Sequence, residues 1–211
     1  MTARSIRGVL WDFGGVLSSS PFEAFAHYEE REGLPRGFIR QVNATDHHAN
    51  AWARFERAEL SFDGFDAAFA DESERLGHRV PGADVLELLT GDLRPAMFTA
   101  VRRCRDAGLT TGLLTNNVTP MQEGGWSHEL ALDELFDVVV ESAVARVRKP
   151  EVAAYELVLR KMRLPAEQVV FLDDLGVNLK PAQAMGMTTI KVTDPDDALA
   201  ELEAVLAISL R

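Results

Sequence analysis

Residues 6–15, Ile-Arg-Gly-Val-Leu-Trp-Asp-Phe-Gly-Gly, decide the fold of this chain. The run from Ile6 to Trp11 is short, mostly apolar and rich in residues that favour β-structure, which predicts a buried strand. Asp12 follows it directly, and the Phe-Gly-Gly sequence after Asp12 predicts a tight turn. The stretch therefore predicts a strand with a polar side chain at its end, and the rest of the chain shows which sheet it joins.

The chain after this strand falls into two parts with different patterns. From residue 21 to about residue 90, aromatic residues and alanines recur at helical spacing between Gly and Pro breaks, which predicts several short helices and no strand. From Pro95 onward, apolar runs alternate with helical patterns. The predicted strands of this second part are residues 109–114, 136–140, 168–172 and 188–192, and the predicted helices are residues 95–107, 151–162, 179–185 and a last helix from residue 196.

Strands that alternate with helices at this spacing predict a parallel α/β sheet with crossover helices. The first strand is separated from the others by the helical part, so the simplest arrangement is one core with an insertion. We predict an α/β core formed by residues 1–17 and 91–211 and an inserted helical cap formed by residues 18–90. A core of about 140 residues and a cap of about 70 are ordinary domain sizes.

The composition of the 211 residues limits the kind of protein. Hydrophobic residues make up 46% and charged residues 26%, which is ordinary for a globular protein and disfavours a disordered or coiled-coil chain. The formal net charge of −11 argues against nucleic-acid binding, which needs a basic face. The single cysteine, Cys104, excludes an internal disulfide, and no apolar run resembles a signal peptide or a membrane span. We expect a cytoplasmic protein, present as a monomer or homodimer.

Polar residues stand near the predicted carboxyl ends of several strands, where parallel-sheet enzymes bind their ligands. Two adjacent carboxylates after an apolar strand are the most informative of them, because a buried charge needs a partner. Each of the other residues alone has a common alternative, such as a turn or a helix start. We expect the whole set to meet in one crevice: Asp12, Thr115, Asn116, Lys149, Asp173 and Asp174.

These residue types together can support phosphoryl transfer. Carboxylates at Asp12 and Asp174 would repel each other unless a cation lay between them, and Mg²⁺ prefers such oxygen ligands. Asp12 could then attack phosphorus and form an aspartyl-phosphate. The Thr115 hydroxyl and backbone N–H groups at Asn116 could hold phosphoryl oxygens, and Lys149 could neutralise charge in the transition state. Mg²⁺ and Lys149 would supply the positive charge that an acidic protein needs to accept a small-molecule phosphate ester.

Four short segments resemble the haloacid dehalogenase (HAD) superfamily of phosphohydrolases, namely residues 12–16, 113–116, 149–150 and 171–174. The similarity is closer still over residues 170–182 and 186–187, which resemble the N-terminal phosphatase domain of soluble epoxide hydrolases. This stretch is also similar to related domains in some acyl-CoA dehydrogenase fusion proteins. The resemblance implies a three-layer, Rossmann-like parallel sheet with a helical cap between the first and second motifs, and it implies that this cap sets substrate specificity.

The resemblance also implies a role for each residue at a matching position. Asp12 would be the nucleophile and would also bind Mg²⁺. Asn178 would support the metal loop, or cap a helix, or both. The remaining implied roles are metal ligation by the Gly14 carbonyl, by Asp174 and by Asp173, which also orients Lys149, and phosphate binding by Thr115, Asn116 and Lys149.

One position departs from the family pattern. The usual first motif carries a second Asp two residues after the nucleophile as general acid and base, and this chain has Gly14 there. A positioned general acid contributes about 10²–10⁴-fold to the rate, so the proton must come from water, the substrate or the cap, or turnover is slow. The alternative function is a phosphate-ligand binding protein with weak catalysis. A metal-independent dehalogenase is disfavoured by the adjacent carboxylates of Asp173 and Asp174.

Further candidate residues lie in the helical part and in the loops of the second part of the chain. Most of them have a simpler structural alternative. Its aromatic residues could line an apolar substrate channel or form the core of the cap. His47 and His48 could donate a proton to the leaving group or lie in a surface loop. The basic run at residues 146–149 could attract an anion or form a solvated loop. Trp126 is a candidate for substrate contact.

Overall fold

The computed structural model describes residues 5–89, 91–117 and 132–211. Within these ranges the strand order is β3-β2-β1-β4-β5, all neighbours are parallel, and the first strand of the chain lies at the centre. The predicted substrate contact Trp126 lies outside the described residues. The five strands are β1 (Gly8–Trp11), β2 (Thr110–Thr115), β3 (Val138–Glu141), β4 (Val169–Asp173) and β5 (Thr188–Lys191).

The described helices form two groups. Those between β1 and β2 are α1 (Phe22–Arg31), α2 (Phe38–Ala44), α3 (Ala51–Glu56), α4 (Phe62–Arg75), α5 (Gly82–Glu87) and α6 (Pro95–Asp106). Those after β2 are α7 (Leu132–Leu135), α8 (Ser142–Ala145), α9 (Val152–Met162), a 3₁₀ turn (Ala166–Gln168), α10 (Gly176–Ala184) and α11 (Pro195–Leu206). None of them is both long enough and apolar enough to cross a membrane.

Helices cover both faces of the sheet because successive strand residues point to opposite faces. Trp11 and Leu172 belong to a buried cluster with residues of α6 and α11 on one face. Leu10 and Phe171 belong to a second cluster with residues of α9 and α10 on the other face. The molecule therefore has a helix–sheet–helix arrangement, and the predicted three-layer α/β fold is confirmed.

Helices α1 to α5 pack around a hydrophobic cluster of their own, rich in phenylalanine. The side chains of Asn50 and Ser61 accept hydrogen bonds from backbone N–H groups at the starts of α3 and α4, which fixes where these short helices begin. No strand occurs in the described residues 21–89, as the sequence predicts. The two connections to the sheet run side by side, because Ser19 N–H donates to Asp92 O over 2.8 Å.

Some predicted boundaries are wrong. Helix α10 begins at Gly176 rather than at residue 179, directly after a short turn that a 2.8 Å hydrogen bond from Leu175 N–H to Asp173 Oδ1 holds in place. Gly176 is a poor helix former, which hides the start of this helix from pattern reading. Strand β2 extends to Thr115, and the short helix α8 was not predicted.

Candidate active site

The carboxyl ends of the central strands bring the candidate site residues together. Asp12 directly follows β1, Asp173 is the last residue of β4, and Thr115 is the last residue of β2. Trp11 pairs with Leu172, and the Asp12 N–H donates to Leu172 O over 2.9 Å. This register places the Asp12 and Asp173 side chains at the same edge of the sheet.

Lys149 reaches this edge from the segment before α9 and is buried between two carboxylates. Its Nζ lies 2.6 Å from Asp12 Oδ1 and 2.8 Å from Asp173 Oδ2, and the residue is 1% exposed. Burial disfavours the charged ammonium, but the Asp12 and Asp173 carboxylates outweigh burial and raise the pKa of Lys149 above its ordinary value. Lys149 is therefore a fixed positive charge at the point where the two strands end.

Three carboxylates cluster at this point, and the Lys149 ammonium contacts two of them. One oxygen of each of Asp12, Asp173 and Asp174 lies within 4.8 Å of the others. Burial raises the pKa of Asp12 well above its usual range, with Asp173 adding to the shift while Lys149 opposes it. Burial, with Asp173 again adding, raises the pKa of Asp174 to about 6. The site is short of positive charge, and its all-oxygen donor set fits a hard divalent cation such as Mg²⁺.

The Asp173 side chain is locked by neighbours on the loop that follows β4. Its Oδ1 accepts the Leu175 N–H over 2.8 Å, and both of its oxygens lie 3.1 Å from Asn178 Nδ2. Asn178 O in turn accepts the Tyr155 hydroxyl over 2.7 Å. Asn178 lies inside the first turn of α10, whose cap position is Leu175, so the interpretation of Asn178 as a helix cap is wrong. Its side chain instead holds a carboxylate of the acidic cluster.

The two adjacent glycines after Phe13 differ in their surroundings. Gly15 has a positive φ of 74°, and a Cβ there would lie 2.3 Å from Asp174 Oδ2. At Gly14, among the described residues and apart from its two chain neighbours, no heavy atom lies within 4 Å of the equivalent position. Gly15 therefore allows Asp174 to approach the turn, whereas a Cβ at Gly14 would meet none of the described residues beyond its chain neighbours.

Asn116 binds the main chain of Lys149 through both ends of its amide. Its Oδ1 accepts the Lys149 N–H over 2.8 Å, and its Nδ2 donates to Lys149 O over 2.9 Å. Thr115, just before it, is buried at the cavity floor. Asn116 thus couples the end of β2 to the segment that delivers the lysine, a contact that the sequence pattern did not predict.

Sequence reasoning missed Glu56, at the end of α3, and the role of Arg148. Both are buried, and Arg148 Nε donates to Glu56 Oε2, which also accepts Asn116 Nδ2 over 3.1 Å. Arg148 Nη1 donates to His47 O over 2.9 Å. The interpretation of residues 146–149 as a solvated loop is therefore wrong for Arg148 and Lys149. A lone carboxylate among the aromatic residues of a predicted helix was the available signal for Glu56.

These residues line a cavity of about 500 Å³ between the sheet edge and the helical part. Gly14, Asp174 and Asn178 line it too, while Asp173 lies beneath them with no exposed surface. His47 also reaches this cavity. Phe65 and Phe69 are fully buried in the hydrophobic cluster of the helical part. Phe22, Phe25 and Trp52 belong to or pack against the same cluster and also line the cavity wall.

Comparison with known proteins identifies the family. The family model of haloacid dehalogenase-like hydrolases matches residues 6–186, most of the chain. The chain belongs to this family. The predicted superfamily is confirmed, and with it the assignment to hydrolytic enzymes.

Curated relatives of this HAD-like chain include three named enzymes. It is 36% identical over 213 residues to mouse acyl-CoA dehydrogenase family member 10, covering 98% of this chain and 20% of that protein. It is 31% identical over 221 residues to pig bifunctional epoxide hydrolase 2, covering 98% of this chain and 40% of that protein. A sesquiterpene phosphatase of Aspergillus oryzae is 29% identical over 167 residues, 75% of this chain and 81% of that enzyme. The chain thus spans at most two fifths of the first two relatives.

Solved structures share the fold. A HAD family enzyme from Bacteroides thetaiotaomicron, in complex with magnesium and inorganic phosphate, aligns with a TM-score of 0.59. The alignment covers 89% of this chain and 94% of that one at 20% sequence identity. The similarity supports the same helix–sheet–helix architecture derived above from the strand order.

Proposed function

We propose that this HAD-like chain is a Mg²⁺-dependent phosphohydrolase that cleaves a small or lipid-like phosphomonoester through an aspartyl-phosphate on Asp12. The observation that carries the proposal is the Lys149 ammonium held between Asp12 and Asp173, with Asp174 beside them. This arrangement offers a nucleophilic carboxylate, a fixed cation and a set of metal ligands at one cavity floor. The phosphatase among the relatives supports the same reaction class.

The metal site would be formed by the carboxylates of Asp12, Asp173 and Asp174 and by the Gly14 carbonyl. When bound, Mg²⁺ would offset the negative charge of the carboxylates and the phosphate. Gly15 leaves room for the Asp174 carboxylate, and Asn178 holds the Asp173 carboxylate through hydrogen bonds.

The reaction would proceed in two displacements at phosphorus. An Asp12 carboxylate oxygen forms a bond to phosphorus while the ester P–O bond breaks. The leaving alkoxide takes up a proton from water, the substrate or the cap, because Gly14 carries no acid. Water then attacks the phosphorus of the aspartyl-phosphate, which releases inorganic phosphate and restores the Asp12 carboxylate. The Thr115 hydroxyl and the backbone N–H of Asn116 would bind phosphoryl oxygens, while Lys149 stabilises their charge.

The apolar cavity wall supports an ester of an apolar or small alcohol. Phe22, Phe25 and Trp52 line the cavity above the acidic floor, and all three come from the helical part. Residues 18–90 would then form the specificity cap on a core of residues 1–17 and 91–211. An apolar wall above a few convergent polar groups is the usual design of a small-molecule site.

A second candidate function, phosphate-ligand binding with weak catalysis, follows from Gly14. A Cβ at Gly14 would meet no described residue within 4 Å other than its chain neighbours, so Gly14→Asp introduces its side chain without a clash at Cβ. If the missing acid limits an active enzyme, the variant hydrolyses alkyl phosphates up to about 10²-fold faster, with a smaller gain for aryl phosphates, whose leaving groups need no proton. Calorimetry that finds tight Mg²⁺ and phosphate-ester binding without turnover, even in the variant, would favour the binding function.

Metal-independent dehalogenation is disfavoured by the same charges. Asp12, Asp173 and Asp174 leave the site with more carboxylates than Lys149 alone neutralises. A dehalogenase releases halide without a metal, and such a crowded acidic cluster would serve no purpose there. Cytoplasmic location, absence of nucleic-acid binding and a monomeric or homodimeric state stay predictions from the sequence.

The test is hydrolysis of an aryl phosphate with and without Mg²⁺, comparing the wild-type protein with Asp12→Asn. The account predicts phosphate release that needs Mg²⁺ and falls by at least about 10³-fold in Asp12→Asn, since the nucleophile is gone. Equal activity of the two proteins, or no phosphate release from any ester in a substrate panel, would refute the proposal.

A further inference from the structure

We propose that Glu56 is a positioning residue of the active site, through which the helical part fixes Asn116 and, through Asn116, Lys149. The inference rests on the proposed phosphohydrolase function, because that function gives Lys149 its task. Glu56 is the last residue of α3 and lines the cavity. Its side chain contacts Asn116 and Arg148, which belong to the sheet part of the molecule, that is, to the described residues from 91 onward.

The Glu56 carboxylate is buried, and both of its oxygens accept hydrogen bonds. Its Oε2 accepts hydrogen bonds from Arg148 Nε and, over 3.1 Å, from Asn116 Nδ2. Its Oε1 accepts the Trp52 indole N–H over 2.9 Å, and Glu56 is only 6% exposed. A carboxylate in this place can therefore join one residue of its own helix to two residues of the sheet part.

Asn116 transmits the contact to Lys149. The two amide hydrogens of Asn116 go to different acceptors, Glu56 Oε2 and Lys149 O, while Asn116 Oδ1 accepts the Lys149 N–H. The main chain of Lys149 is thereby held on both its donor and its acceptor. The proposed function requires the Lys149 Nζ to lie between Asp12 and Asp173. A shift of the Lys149 main chain would move this ammonium away from Asp12, the nucleophile.

Arg148 compensates the charge of Glu56, and a second ion pair lies at the same interface. Arg57, the next residue after Glu56, pairs with Glu151 over 3.0 Å. Replacing one partner of a buried ion pair is strongly destabilising, whereas replacing both by apolar residues of similar size is often neutral. The stability role of the Glu56–Arg148 pair can therefore be separated from its effect on Asn116.

The experiment compares Glu56→Leu, Arg148→Met and the double variant, with Arg57→Met as the matched control that breaks the neighbouring pair. The measurements are the melting temperature, kcat for an aryl phosphate with Mg²⁺, and calorimetric binding of inorganic phosphate. We expect both single variants at this pair to melt below wild type. We expect the double variant to recover part of the lost melting temperature, because the charges are removed together but the Trp52 indole N–H and Asn116 Nδ2 still lack the Glu56 acceptor. We expect kcat of Glu56→Leu and of the double variant to stay about 10- to 100-fold low, with weaker phosphate binding, because Asn116 has lost its acceptor. Arg57→Met keeps the wild-type kcat.

The outcomes separate the two proposals. Recovery of both melting temperature and kcat in the double variant overturns the positioning role of Glu56 and leaves the proposed function intact. A low kcat in Arg57→Met equal to that of Glu56→Leu also overturns it, because general loosening of the interface would then explain the loss. A wild-type protein that neither hydrolyses the ester nor binds phosphate overturns the proposed function, and the role of Glu56 falls with it.

Discussion

At the scale of single residues, Gly15 shows how tightly the acidic cluster is built. A Cβ at Gly15 would overlap the Asp174 carboxylate, and the positive φ of 74° is unfavourable for any other residue. We expect Gly15→Ala to lower the free energy of unfolding by about 1–3 kcal/mol and to weaken Mg²⁺-dependent hydrolysis, because Asp174 must move. Chemical denaturation checks the first effect.

Gly14→Ala is the control for this prediction. Its Cβ would meet none of the described residues within 4 Å apart from its chain neighbours, so its free energy of unfolding should stay within about 0.5 kcal/mol of wild type. Equal destabilisation by both substitutions would show that the turn, rather than the approach of Asp174, is sensitive to a side chain.

Some residues of the site could be predicted from the sequence, and others could not. Asp12, Lys149 and Asp173 could be named because strand ends and family motifs both point to them. Glu56 and Arg148 could not, because their meeting depends on how the helical part packs on the sheet part, over 92 residues of sequence separation. No local pattern encodes that contact.

At the scale of elements, the packing of α6 against the sheet buries the chain's single cysteine. Cys104 is fully buried in the cluster between α6 and the strands, and burial raises the pKa of its thiol to about 12. Since the thiolate is the reactive form, the native protein should not react with a disulfide reagent at pH 8, and one thiol should react in urea. Fast reaction of the folded protein would contradict the packing of α6.

The alternation of strands and helices was predictable because most strands are short apolar runs and helices such as α6 and α9 have apolar residues at helical spacing. The strand order was not, because neighbours in the sheet are chosen by tertiary packing: β1 lies between β2 and β4, far from both in sequence. The start of α10 was hidden for a different reason. Gly176 opens that helix against its own propensity, since the turn bound to Asp173 Oδ1 sets the chain direction.

At the scale of the whole molecule, the stability of the metal-free protein depends on pH through Asp174 at the sheet edge. The pKa of Asp174 is about 6 in the metal-free folded protein, because of burial and Asp173, and about 3.9 in the unfolded chain. Between these two pH values the folded protein binds more protons than the unfolded one, so the stability contribution of Asp174 falls as pH rises through this window. Above it, the ionised Asp174 destabilises the metal-free protein.

We therefore expect Asp174→Asn to be more stable than wild type at pH 7 with EDTA. Mg²⁺ should reverse this order, because a cation that binds only the folded wild-type site stabilises it by mass action. Urea unfolding of both proteins in the two buffers measures the effect. The same order with and without Mg²⁺ would mean that Asp174 does not take part in metal binding.

The most direct test of the central claim is detection of the phosphoryl group on Asp12 itself. The protein is mixed with an aryl phosphate and Mg²⁺, quenched in acid during turnover, digested and analysed by mass spectrometry. The account predicts the mass of one added phosphoryl group on the peptide that contains Asp12, and none in Asp12→Asn. Phosphate release by the wild-type protein with no phosphorylated Asp12 peptide, and equal release by Asp12→Asn, would contradict it.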